Sequence, residues 1–452
     1  MTFRSTLAAA AIAGAFAPPT AAAQATPGAA LRADTSAARP IALAEAVQLA
    51  QRNAPSAVQA RGQIRSSTTA VRSAYAAFIP NLSINASTTQ QSPAGQRVNQ
   101  QTGEIVSGRW AGNAGFRASL ELFDGFRRLN DLRNARATLS AAETAETSQR
   151  FQIAYQVKEQ YYASLAARES ESAAQAQLQQ AEQQLRVSTA KFLARTATRS
   201  DSLRSSIAVG NARLALLQAR NQREIADAAL TRLVGTPFTV TATPAGAPSD
   251  SVALQALPDT AELGRLADRA PAVLTAEANL LAARSAARGA RAPWLPTLNM
   301  SYGRNLSQTT AGFTVVPNDP RFTGNLQFSF SYPIFNNYTR EEGVVRADIA
   351  VTNAEAALRD ARFAARQSLV QSLIALRTAQ EQAAIQTQTV AASEEDLRVQ
   401  QQRYELGAST LLDVLTSQTT LNQARVALVQ TRLDARVARA QLESIIGRDL
   451  TP

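Results

Sequence analysis

The chain has 452 residues, with no cysteine and no histidine. The first absence excludes disulfides, thiol nucleophiles, thiolate metal sites and lipid attachment at a mature N-terminal cysteine. The second removes the commonest general base and the imidazole ligand of zinc sites. Carboxylates, tyrosines, hydroxyls and lysines remain, but no carboxylate constellation stands apart from helix caps and helix faces. No catalytic residue, metal ligand or cofactor is expected, and the chain does not read as an enzyme. Lysine is nearly missing as well: Lys158 and Lys191 are the two, so the net charge of +11 rests on arginine. The arginines lie scattered among Ala and Gln instead of forming a basic run. That is the pattern of solvated helix faces, not of a nucleic-acid partner. No segment of the mature chain offers ~18 consecutive apolar residues, so no helix is expected to cross a bilayer.

The first residues have the marks of a secretory signal. One arginine, Arg4, precedes an apolar stretch over 7–16, then Pro18-Pro19 and an A-x-A site at Ala23-Gln24-Ala25. Residues 1–25 are expected to be removed.

The mature chain is a duplication. LARTATRSDSLRS begins at Leu193 and ELGASTLLDVLTS at Glu405, an offset of 212 (405 − 193). At the same offset Phe123-Asp124-Gly125 matches Phe335-Asn336-Asn337, and Leu178, Leu185 and Phe192 match Val390, Leu397 and Tyr404. Upstream the offset becomes 216, where NAPSAV (53–58) matches RAPAVL (269–274) and FIPNLSI matches WLPTLNM. The reading is a first repeat over 26–235 with a β-hairpin at about 81–122, a Pro/Ala/Thr-rich linker over 236–258, a second repeat over 259–447 with a hairpin at about 297–333, and a tail over 448–452.

Each repeat reads as a helix (41–78, 259–294), a proline corner (Pro80, Pro296), the hairpin, a very long helix (127–193, 338–406) and a returning helix (202–234, 411–446). The hairpins alternate strictly: Phe322, Leu326, Phe328, Phe330 and Tyr332 share one face, and Thr323, Asn325, Gln327, Ser329 and Ser331 the other. Strands of ~9–12 residues between long polar loops (90–109, 309–320) fit a membrane barrel, with Trp110, Phe322, Phe330 and Tyr332 as interfacial aromatics. Four strands cannot close a barrel, whose smallest forms have about eight, so oligomerisation is required. A 67-residue helix extends ~100 Å, and the two shorter helices of a repeat laid end to end match it. The seven-residue spacing of Val390, Leu397 and Tyr404 fits knobs-into-holes packing.

The duplicated halves, the AFIPNLSINAS and PWLPTLNMSYG junctions, LELFDG and RYELGASTLLDVLTSQTTLNQAR resemble the TolC-type outer-membrane efflux channel family. The resemblance covers residues 41–447. It implies a mainly α fold with a transmembrane β-barrel portion, in which the repeats build a trimeric α-helical tunnel and a shared 12-stranded outer-membrane barrel. It also implies a passive, gated duct of a tripartite efflux or type I secretion system. Its partners would be two further copies, a periplasmic membrane-fusion adaptor, through it a proton-driven or ABC inner-membrane pump, and outer-membrane lipid.

At the tips, Gly407 suits a left-handed helix end, and Thr410-x-x-Asp413 and Thr198-x-x-Asp201 read as capping boxes. The resemblance adds roles. Asp413, Asp201 and Tyr404 become gate or selectivity candidates, since three copies of each acid would ring the axis. Arg403, Leu406, Gly407 and Arg195 become adaptor-docking candidates. Ser409 stands where some members carry a gate arginine, Thr416 replaces a second acid, and Arg195 stands where the first tip would have Gly, so a different latch is expected. The competing reading is a secreted coiled-coil scaffold, which leaves the two-faced hairpins at matching repeat positions unexplained.

Overall fold

A computed structural model describes residues 38–98, 105–243, 260–310, 313 and 322–449. The signal expected over 1–25, most of the linker, the hairpin tips and residues 450–452 lie outside them. In order, the elements are β1 (Arg39–Ile41), α1 (Leu43–Asn53), α2 (Pro55–Ala76), β2 (Asn81–Val98), β3 (Ile105–Phe123), α3 (Arg127–Leu193), α4 (Arg199–Val234), β4 (Val240–Ala242), α5 (Thr260–Ala267), α6 (Pro271–Gly289), β5 (Thr297–Thr310), β6 (Thr323–Ser331), α7 (Thr339–Glu405) and α8 (Leu411–Ile446).

The long helices arise as expected: α3 and α7 each hold 67 residues. Along α3, Ile153, Val157, Tyr161 and Leu165 pack with Ala46 and Ala50 of α1 and Leu230 and Val234 of α4. In the second repeat Leu369, Leu373 and Leu376 pack with Leu263 of α5 and Leu442 and Ile446 of α8. Further along, Leu397, Val414 and Leu421 pack with Val390 and Tyr404, so the heptad row read from the sequence is a helix seam. The halves meet where α3 touches α6 and α8.

Three details depart from the sequence reading. The helices expected over 41–78 and 259–294 are each broken in two. Ala54 (ψ 133°) and Ala270 (ψ 146°) are extended because the following Pro55 and Pro271 exclude them from helical geometry; each proline then opens the next helix. Second, β2 and β3 run to 18 and 19 residues. Their ladder continues to Val98 opposite Ile105, past an irregularity between Gln90 and Gly95, through the stretch expected as loop. Backbone pairing needs no apolar face, so it outlasts the alternation that marks lipid contact. Third, the linker contributes β4, which pairs in parallel with β1. The Tyr161 hydroxyl donates to this patch, 2.9 Å from the Thr243 carbonyl oxygen.

The four long strands form one antiparallel sheet, β2-β3-β5-β6. Its two hairpins share a register: Asn81 faces Ser119, and their repeat equivalents Thr297 and Ser331 face each other. Ile84, Phe116, Tyr302, Leu326 and Phe328 lie exposed on one face. Every residue of β6 is exposed, so none of the described residues covers either of its faces. Each sheet-to-helix passage uses two successive left-handed residues: Gly125 and Phe126 (φ 66° and 65°), and Asn337 and Tyr338 (φ 55° and 60°). A Cβ at Gly125 would sit 2.5 Å from the Ala292 carbonyl oxygen, so this corner admits only glycine.

Candidate functional site: the helical tips

The ends of α3 and α7 are built alike. The Thr196 amide donates to the Lys191 carbonyl (2.9 Å) and the Arg195 amide to the Phe192 carbonyl (2.9 Å). In the second tip the Ala408 amide donates to Arg403 (2.7 Å) and the Gly407 amide to Tyr404 (3.2 Å). Both are Schellman motifs, whose turning residue is left-handed. Gly407 meets that demand at φ 75°, and Arg195 meets it at φ 59° despite its side chain. The glycine missing from the first tip therefore leaves the turn in place, at the cost of backbone strain.

The returning helices start with the capping boxes read from the sequence. Thr410 donates to the Asp413 carboxylate through its amide (2.9 Å) and hydroxyl (2.8 Å), while the Asp413 amide donates to the Thr410 hydroxyl (3.3 Å). Thr198 and Asp201 repeat the pattern at 3.0, 2.7 and 3.3 Å. The hydrogen bonds from Thr410, and then the nearby Arg403 guanidinium, hold the Asp413 carboxyl below its ordinary value.

Lys191, marked in the sequence only by its rarity, joins the two tips. Its Nζ donates to the Tyr404 carbonyl oxygen at 2.8 Å and sits 4.0 Å from the centroid of the Tyr404 ring. It is the repeat counterpart of Arg403 (403 − 191 = 212), yet Arg403 stays within its own turn, 3.4 Å from the Ala408 carbonyl. The Tyr404 hydroxyl is buried and has no hydrogen-bond partner among the described residues. Burial, with the Asp201 carboxylate adding to it, pushes that hydroxyl's pKa up. So the structure gathers Lys191, Tyr404 and Asp201, whereas Asp413 lies with Arg403 in the second turn. Thr416 points back to the Leu412 carbonyl (2.9 Å) and plays no part in the contact. The outermost surface is apolar: Leu193 and Leu406 are 75% and 84% exposed, beside the exposed Arg195 and Arg403. The Lys191 contact spans 213 positions and has no local signature.

Two long-helix walls, paired turn-and-restart tips and an open antiparallel sheet with a bare apolar face define a subunit of an outer-membrane export channel. The chain belongs to the outer membrane efflux protein family, which it matches twice, over residues 46–236 and 263–448. It is 30% identical over 342 residues to the pyoverdine export outer membrane protein OpmQ of Pseudomonas aeruginosa, covering 74% of this chain and 69% of that one. It is 26% identical over 411 residues to protein CyaE of Bordetella pertussis, covering 88% of this chain and 84% of that one. Its fold is similar to that of CusC, with a TM-score of 0.77 at 19% identity over 90% of this chain and 92% of the other. The protein is an outer-membrane duct for efflux or secretion, set in the Gram-negative outer membrane and extending into the periplasm.

Proposed function

We propose that three copies close a twelve-stranded barrel and a continuous helical tunnel, and that the tips form its gate. The observation that carries the trimer is a pair of uncovered apolar rows. On α4, Leu203, Ile207, Leu214, Leu217 and Ile225 are all more than half exposed, as are Val345, Ile349, Phe363, Val370 and Ile374 on α7. Their heptad-like steps are those of a helix seam whose other half lies outside the chain. The free edges of β2 and β6 make the same demand, since an open edge does not persist in lipid.

At the gate, three copies of Asp201 and Asp413 surround the axis and disfavour anions. Lys191 takes over the latch expected of the arginine absent at Ser409. By gripping the ring and carbonyl of Tyr404, it ties the end of α3 to the end of α7. The orphan Tyr404 hydroxyl is left to meet a group of the next copy. Leu406, with Gly407, Arg195 and Arg403 around it, offers the docking surface for a periplasmic membrane-fusion adaptor, and through it an inner-membrane pump. The exported cargo is set by that pump; this chain supplies a passive path for small molecules or proteins.

Single-channel recording in planar bilayers tests the latch. Lys191→Met removes the cation and keeps much of the stem's bulk, and is expected to raise conductance or open probability several-fold. Conductance equal to that of the unaltered channel would remove Lys191 from the gate.

A further inference from the structure

Among the apolar positions of β5 stands one charge. On β5 the outward face reads Leu298, Met300, Tyr302, Arg304, Leu306. Arg304 lies between Phe116 of β3 and Gly324 of β6, and neither neighbour can neutralise it. Gly324 has no side chain, which leaves a gap in the wall. The Arg304 guanidinium stacks on the Phe322 ring, 4.7 Å from its centroid. From the other side the Tyr302 hydroxyl approaches the same gap: a Cβ at Gly324 would lie 3.7 Å from it. The Tyr302 hydroxyl thus borders the gap at Gly324, and the Arg304 guanidinium, with five donors, stands on the adjoining Phe322 ring.

Depth decides what fills it. The helix-joined ends of the strands face the periplasm, so height is counted from Leu298. At ~3.4 Å per residue and a tilt of ~40°, Arg304 stands ~15 Å above Leu298 in an apolar band ~25 Å tall. Its side chain leans toward Phe322, one step beyond the Thr323–Asn305 pair, so the charge reaches ~20 Å and points at the outer edge of the band. A charge on the lipid face is tolerated best there, and there anionic headgroups begin. An arginine fork matches phosphate oxygens in a bidentate manner.

We propose that Arg304 and Tyr302 hold the phosphate of an outer-leaflet lipid headgroup against the barrel wall, at one notch per copy. This rests on the trimeric barrel proposed above. The test uses the full chain reconstituted in phosphatidylcholine vesicles, with spin-labelled phosphatidic acid or spin-labelled phosphatidylcholine as the probe. Sedimentation with the vesicles and a mass of three chains are checked first; failure at that step sinks the barrel itself and the notch with it. Given a trimer, the labelled phosphatidic acid is expected to associate several-fold more strongly than the labelled phosphatidylcholine. Arg304→Gln should bring the ratio close to one, Tyr302→Phe should lower it partly, and Arg117→Gln on the opposite, polar face should leave it unchanged. A ratio in Arg304→Gln equal to that of the unaltered protein would overturn the proposal, as would no preference in the unaltered protein. Full displacement of the labelled lipid by tens of millimolar inorganic phosphate would also overturn it, because the free anion would then be the ligand.

Discussion

Arg195 and Gly407 occupy the same left-handed step of two equivalent turns, at φ 59° and 75°. A side chain there costs roughly 1 kcal/mol. Arg195→Gly is therefore expected to steady the first tip, and Gly407→Ala to loosen the second, each by about 1 kcal/mol, or ~5-fold in amide hydrogen exchange of the adjoining turn. Exchange unchanged in both would mean that the turns are set by something other than backbone preference. Asp413 brings a pH dependence. Its carboxyl is held below the ordinary 3.8, so its contribution to the cap is complete above that value and is lost as pH falls through the lower folded value. The chain is free of cysteine, so a spin label at Ala408→Cys reports the tip alone. The label is expected to gain mobility only below pH 3.8, whereas in an Asp413→Asn background it should be mobile throughout; equal, pH-independent mobility in both would contradict this. The caps were legible in the sequence because Thr-x-x-Asp is a local pattern. The Lys191–Tyr404 contact was not, because it depends on how two distant helices end side by side.

At the scale of elements, the repeat made the helix and hairpin order readable, including which strand comes after which proline. Less legible was the punctuation inside the helices. Pro55 and Pro271 sit within the very segments matched between the halves, but a break of one residue at Ala54, or of the three residues Asp268, Arg269 and Ala270, leaves the apolar pattern on either side intact. The link of α3 to α8 has no sequence signal either. Lys158 donates to Glu443 (2.6 Å) and Asp449 (3.1 Å), joining residues almost 300 positions apart. Burial pulls the Lys158 pKa down, but the two carboxylates more than offset it and hold the ammonium above its ordinary value. The stability this gives is complete below pH 10.5 and is lost only as pH rises through the folded value, so the link is constant at physiological pH. Lys158→Met leaves Glu443 buried with less compensation and is expected to cost about 2 kcal/mol, with Lys158→Met/Glu443→Leu recovering part of it. Denaturant midpoints measure both; a double variant that costs as much as the two single variants together, or more, would contradict the pairing.

For the whole molecule, strand number and helix length carried the reading: four strands are too few for a barrel, and ~100 Å helices are too long for a compact domain. The structure adds the surfaces that demand companions. Phe363 is 67% exposed in the middle of the α7 row, and Phe363→Asp should leave chains that fold yet fail to assemble, seen as loss of the trimer in native mass spectrometry. The most direct test of the central claim lies at the sheet edges. One cysteine fixed at Asn85 of β2 is combined in turn with one at Asn325, Gln327 or Ser329 of β6, all on the polar face, and the outer membranes are oxidised. If β2 of one copy pairs with β6 of the next, at least one combination will give a disulfide ladder that ends at three chains. A ladder ending at two, a ladder running past three, or a soluble monomer with no cross-link in any combination would contradict the account.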